Sequence, residues 1–244
     1  MGFNKMRTEC LFLEDSYLKE FEAKVIKINN GKNIILNRTA FYYRSGGQAC
    51  DLGKLIRVKD NKEFKVVFAA KVDDDVSHEV NEEGLEVNDE VIGKINWERR
   101  YKLMRLHTAA HILDAVFHQD NGMLVTGNEL NPEKSRIDFN LKEFTKEKVQ
   151  EYIDKANLII NKNLEIKNYS LNKEEAMKIP GIIKLAKAAP PDFPILRITE
   201  IVNLDIQADA GTHVKNTSEI GKIILLDIEN KGKDRKRIYF DVIN

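Results

Sequence analysis

A single change of periodicity near Trp97 constrains this chain more than any other feature. Up to about Ile95 the apolar residues fall into short β-type runs. Glu22 to Ile28, Asn33 to Leu36 and Glu63 to Ala69 alternate or cluster β-branched and aromatic side chains, separated by Asn-Asn-Gly, Gly-Gly and Asp-Asn-Lys turn signals. Several short strands at this spacing predict a small barrel or sandwich. Asp73 to Asp75 and Asn81 to Gly84 read as solvated loops. From Glu98 to about Gln119 the period changes: Leu103, Leu106, Ala110, Leu113 and Phe117 recur at helical spacing. A second helix is predicted from Lys146 to about Ile160, N-capped by Thr145, with Val149, Tyr152, Ile153, Ala156 and Ile160 as its apolar stripe. Short strands follow over Leu164 to Tyr169, Ile195 to Val202, Ile220 to Ile228 and Arg237 to Val242. Pro180, Pro190, Pro191 and Pro194 bracket irregular connections. The second part is thus α+β, with a boundary near residues 93–98.

Bulk properties exclude several classes. With 244 residues and 42% hydrophobic content, the chain can bury a core without disulfides. Lys plus Arg equals Asp plus Glu at 39 each, so only a local basic patch, not the net charge, could attract nucleic acid. Cys10 and Cys50 are far apart and near no other ligand type, which fits a reducing cytosol rather than a disulfide framework. The N-terminal segment lacks a signal-peptide core, and no apolar run reaches membrane-spanning length, so the expectation is a soluble, cytoplasmic protein.

The chemistry lies in the histidines. His107 and His111 stand at i and i+4 on the predicted helix, one turn apart on one face. Two imidazoles so placed can hold one metal ion. Taken alone, the pair is equally consistent with two histidines satisfied by backbone or solvent. Asp209-Ala-Gly-Thr-His213, in a later turn-like segment, adds a carboxylate and a third imidazole. Together these make four ligands, the number zinc prefers, although nitrogen and oxygen donors also suit other divalent ions. The protease zinc helix has Glu after its first histidine as general base; Thr108 stands there instead, which disfavours that reading. His78 and His118 lie outside the pattern. Lys231, Lys233, Arg235, Lys236 and Arg237 form the densest basic cluster, and Arg99, Arg100, Lys102 and Arg105 precede the histidines. Both groups read either as phosphate contacts or as solvated charge runs.

Four segments carry a resemblance. Asn96 to Leu113 (NWERRYKLMRLHTAAHIL) resembles the zinc helix of the freestanding alanyl-tRNA editing proteins and of the editing region of alanyl-tRNA synthetases. Ala208 to Gly221 (ADAGTHVKNTSEIG) resembles their second zinc-ligand segment, Thr39 to Gly53 (TAFYYRSGGQACDLG) their glycine-rich motif, and Gly232 to Phe240 (GKDRKRIYF) the basic stretch closing the editing domain. The segments lie in the family's order and cover nearly the whole chain.

The resemblance implies a small β-barrel over residues 1–95, followed by a zinc-containing editing domain over 96–244 with helices packed on a mainly antiparallel sheet. It implies hydrolysis of tRNA(Ala) carrying the wrong amino acid, chiefly serine and also glycine, with one zinc ion held by His107, His111, His213 and Asp209. Asp209 is alternatively a general base or a water holder. Thr39 is the implied partner for the serine hydroxyl, with Gln48 beside it in the motif, while Gly46, Gly47 and Thr212 complete the substrate contacts. Gly46 and Gly47 also have an ordinary reading, as a turn. Arg105, Lys231, Lys233, Arg235, Lys236 and Arg237 become the implied tRNA contacts. The sequence departs from the family where Asp209 replaces a common Cys, Ala210 a Gly, and Tyr43 and Arg44 a Pro and a Glu. These departures keep open an alternative, a zinc-stabilised tRNA-binding module without hydrolysis.

Overall fold

The computed structural model describes residues 8–141, 145–182, 193–233 and 235–244. Its strands are β1 (Glu9–Cys10), β2 (Glu20–Asn29), β3 (Asn33–Leu36), β4 (Arg38–Thr39), β5 (Gly53–Arg57), β6 (Glu63–Val72), β7 (Asp75–Val80) and β8 (Glu90–Ile95), after which helix α1 (Trp97–Asn121) begins. Then come β9 (Val125–Glu129), β10 (Ser135–Phe139), α2 (Lys146–Ile160), β11 (Ile166–Asn172), the short α3 (Lys173–Ala176), β12 (Ile195–Ile201), β13 (Asp205–Ala208), β14 (Lys222–Asn230) and β15 (Lys236–Ile243). Two compact units divide the chain, Met1–Tyr101 and Lys102–Asn244. The division falls in the first turns of α1, a little beyond the boundary expected from composition. Pro190 and Pro191, expected in an irregular connection, lie outside the described residues. Cys10 and Cys50 are free thiols.

In the first unit six strands pair antiparallel in the order β2-β3-β7-β6-β5-β8, and β8 returns to pair with β2, closing the sheet into a barrel. Alternation explains which side chains fill it: Phe21, Ala23 and Val25 on β2 are buried while Glu20, Glu22 and Lys24 face out. Phe41, Leu55, Phe64, Val66, Val80 and Val91 join them in the interior. Asn30 and Gly31, both at positive φ, turn β2 into β3 as the Asn-Gly signal predicts.

Arg100 and His78 are among the buried polar side chains of this unit. Arg100, fully buried, donates to both carboxylate oxygens of Asp51 and to the carbonyls of Ser16 and Ala40. His78 is also fully buried. Its Nδ1 lies 3.0 Å from the Ile34 carbonyl, so Nδ1 carries the proton and Nε2 accepts from the Thr39 hydroxyl at 2.8 Å. Burial pushes the His78 pKa down to about 4, against the opposing effect of the Ile34 carbonyl. An unfolded chain takes up this proton near pH 6.5. The stabilisation is therefore complete above about pH 6.5, is lost progressively as pH falls below that, and is gone near pH 4. We expect wild type to lose about 2–3 kcal/mol more stability than His78→Gln between pH 7 and pH 4.5. Urea melts read by Trp97, the single tryptophan, packed against Tyr17 and Lys19, check this; parallel curves would refute it.

In the second unit β14-β15-β10-β9 form one antiparallel sheet and β11-β12-β13 another. Helix α2 begins as predicted: the Thr145 hydroxyl accepts from Lys148 N, and all five stripe residues are buried. Asn157 of α2 brackets Ile223 of β14, donating to its carbonyl and accepting from its amide. Phe117 of α1 stacks with Phe139 of β10 and packs on Tyr152 of α2, at ring separations of 4.3 and 4.4 Å. Helix α1 is no amphipathic surface helix, because Leu103 through Phe117 are buried at every position. Its histidines are therefore interior groups.

Candidate metal centre

Helix and strand periods together build this site. On α1, His107, His111 and Asp114 follow one face at i, i+4 and i+7. Strand β13 runs Asp205–Ala208 and leads directly into Asp209, so Asp205, Gln207 and Asp209 share one face at period two. The two rows meet. His107 Nε2 stands 3.8 Å from Asp209 Oδ1, His111 Nδ1 is 3.0 Å from Asp205 Oδ2, and Gln207 Nε2 donates to Asp114 Oδ2 at 2.8 Å. His213 follows shortly after. The ligand atoms of His107, His111, Asp209 and His213 lie within 4.8 Å of one another, and the three imidazoles are buried.

The hydrogen bonds fix two of the three tautomers. The Thr108 hydroxyl donates to the Met104 carbonyl at 3.0 Å, so at 3.2 Å it accepts from His213 Nδ1–H. His213 Nε2 therefore presents a lone pair, yet it lies 2.7 Å from Asp209 Oδ2. Burial pushes the His213 pKa down to about 4 despite Asp209, and burial likewise drives His107 well below its ordinary value, helped by the neighbouring His213 and His111. For Asp209, burial would raise the pKa, but His107 and His213 outweigh it and hold the carboxyl well below the usual range. A neutral imidazole and an ionised carboxylate thus turn lone pairs toward each other, an arrangement that a shared cation satisfies. Three imidazoles and one carboxylate match the number and type of donors a divalent ion such as zinc takes.

Backbone packing shapes the ligand loop. Arg197 of β12 donates to the carbonyls of Asp209 and Gly211 at 3.2 and 2.9 Å, and Gly211 N donates to Asp209 Oδ2 at 2.9 Å. His107 lies directly against Gly211: a Cβ there would stand 2.1 Å from His107 Cε1 and 2.3 Å from Nδ1. Thr108, where a zinc protease has its glutamate, is the hydroxyl that orients His213.

The other expected site residues have the following places. In the first unit Thr39 is fully buried; its hydroxyl donates to His78 and accepts from Phe41 N at 3.1 Å. Gln48 is also fully buried. Gly46 and Gly47 take φ values of +56° and +85° in the exposed turn closed by Ser45 and Gln48, which is the turn reading of these glycines. In the second unit Thr212 is buried. Arg105 is only 8% exposed and gives its donors to the carbonyls of Ile220 and Ile243 and to Asn244 Oδ1. Lys236 is 6% exposed and its ammonium closes the β14–β15 connection onto Asn230 Oδ1 and the Gly232 carbonyl. Neither cation is presented to a phosphate as the basic-cluster reading expected, because both charges are used inside the fold. Arg237 pairs with Asp138, and Lys231 with Glu229. Lys233 and Arg235 are exposed.

Sequence reasoning missed Asp205, Gln207, Arg197 and Gly211 as members of this site. A signal for the first two was present: Asp205-Ile-Gln-Ala-Asp209 alternates polar and apolar residues, the pattern of a half-buried strand.

Comparison with known proteins gives a consistent set of similarities. Residues 1–99 match the family of class II (A) tRNA synthetases, and residues 196–239 match the threonyl and alanyl tRNA synthetase second additional domain. The second match contains Arg197, Asp205, Asp209, Gly211 and His213. The chain is 48% identical over 236 residues to the alanyl-tRNA editing protein AlaX-M of Saccharolobus solfataricus, covering 96% of this chain and 99% of that one. Identity to the AlaX-M protein of Methanosarcina mazei is 44% over 244 residues, with 97% of each chain covered. An alanine–tRNA ligase of Saccharolobus islandicus is 37% identical over 227 residues, which are 91% of this chain and 25% of the ligase.

Proposed function

Because the chain belongs to the family of alanyl-tRNA editing proteins, we propose that it is a trans-acting hydrolase that removes wrong amino acids, chiefly serine and also glycine, from tRNA(Ala) in the cytoplasm, using zinc. The observation that carries this reading is the cluster of His107, His111, His213 and Asp209, whose possible ligand atoms lie within 4.8 Å of one another. The bond to be broken is an ester between the aminoacyl carbonyl and a ribose hydroxyl. When bound, a zinc ion supplies fixed positive charge for polarising that carbonyl and orienting the aminoacyl group.

The protein's own residues hold that charge in place. His107 and His213 offer imidazoles that burial holds neutral, His111 offers a third, and Asp209 offers a carboxylate whose depressed pKa makes it a weak base. We therefore assign Asp209 as the fourth ligand rather than the general base. Arg197 and Gly211 hold its backbone, and Thr108 holds the His213 ring. For selectivity, Thr39 is proposed as the partner of the serine hydroxyl, on the resemblance of its motif. Its own proton goes to His78, so its oxygen remains an acceptor, and an alanyl methyl offers nothing to pair with it. Gln48, Gly46, Gly47 and Thr212 are proposed substrate contacts on the same ground. Lys233 and Arg235, the exposed members of the basic cluster, are the proposed phosphate contacts.

The test is a deacylation assay with seryl-, glycyl- and alanyl-tRNA(Ala) side by side. We expect release of serine and retention of alanine. Zinc-loaded protein that leaves seryl-tRNA(Ala) intact, while a known editor clears it, would overturn the reading. His107→Ala is expected to lower deacylation roughly 100-fold or more while tRNA affinity stays within about twofold. Hydrolysis that is absent already in the wild type, with tRNA binding intact, would favour the binding-module alternative.

A further inference from the structure

Asp205 belongs to none of the motifs, yet its side chain is fully buried beside the ligand cluster. One of its oxygens, Oδ2, lies 3.0 Å from His111 Nδ1 and 3.0 Å from Gln207 Nε2; the same Gln207 nitrogen reaches Asp114 Oδ2 at 2.8 Å. An ionised carboxylate only accepts, so His111 must donate from Nδ1, which leaves Nε2 as its ligand atom.

We propose that Asp205 is the positioning residue of the metal centre: it fixes the His111 ring with Nε2 toward the ion, and its charge makes that nitrogen a stronger donor. Gln207 holds this carboxylate in register from the same strand face. The inference rests on the metal-site reading above. Outer partners of this kind change metal affinity by about 10–100-fold when removed.

The experiment is a zinc titration against a competing chelator. Asp205→Asn keeps the size and an acceptor but removes the charge. It is expected to weaken zinc binding about 10–100-fold, with circular dichroism and Trp97 fluorescence unchanged. In a His111→Ala background, which still has three ligands, the same substitution is expected to change affinity by less than about threefold, because its route to the ion is gone. Equal affinity of Asp205→Asn and wild type, or an equal loss in both backgrounds, would overturn the proposal while leaving the metal site standing. A folded wild type that binds no zinc would remove the metal reading and this proposal together. Should Asp205→Asn not fold, nitrogen NMR of histidine-labelled, zinc-loaded wild type decides. A proton on His111 Nδ1 with a zinc-shifted Nε2 supports the assignment, and a proton on Nε2 overturns it.

Discussion

Gly211→Ala is expected to lose bound metal and to lower deacylation about 100-fold, the scale of a misplacement near 1 Å in a reacting constellation. The added Cβ would lie 2.1 Å from His107 Cε1, so the imidazole must move off its position over the ligand loop. Gly211 does not sit at a positive φ, so the backbone itself tolerates alanine, and the effect comes from the collision. Thermal stability should change far less than metal content. Gly127→Ala is the matched control: its Cβ would meet only Asp138 Oδ2 at 3.8 Å, an ordinary contact. Metal analysis and seryl-tRNA(Ala) deacylation on both variants check this. An alanine variant at 211 that keeps its zinc and its rate would show that His107 is not held where the structure has it.

Asp51→Asn should destabilise the first unit by about 3–5 kcal/mol, the cost of leaving a buried charge without its partner. Arg100 and Asp51 are both fully buried, and the guanidinium meets the carboxylate through two nitrogens. Asp51 also accepts from Tyr42 N at 2.6 Å, a bond whose acceptor an amide can turn away. Urea melts read by Trp97 fluorescence check the loss. Replacing both partners, Asp51→Leu with Arg100→Met, should recover the part of the loss due to the orphaned charge but not the bonds to the Ser16 and Ala40 carbonyls and from Tyr42 N. If the single variant melts with wild type, the pair is not desolvated as described.

The helices were legible because their signals are local. The Leu103-to-Phe117 period and the Thr145 cap with its five-residue stripe depend only on neighbours along the chain, and α2 begins and ends where they place it. Strands β2, β3 and β6 were legible for the same reason. Strands β9 and β10 were not: Val-Thr-Gly-Asn-Glu lacks apolar alternation, that of Arg-Ile-Asp-Phe is only four residues long, and β10 is held by pairing with β9 on one side and β15 on the other. Charge along the chain also misled. Arg105 and Lys236 look like surface cations in sequence, but carbonyls from distant residues surround them in the fold.

The sequence by itself determined the donor types, since His107 and His111 need only one helical turn to share a face, and Asp209 with His213 repeats that spacing. Only the tertiary structure decided what those donors become. The α1 row of His107, His111 and Asp114 and the strand row of Asp205, Gln207 and Asp209 are far apart in the chain and follow different periods, so no local pattern joins them. Burying the two rows against each other sets the tautomers, depresses the pKa values of His107 and His213, and makes Gly211 the one residue type small enough to lie beneath the His107 ring.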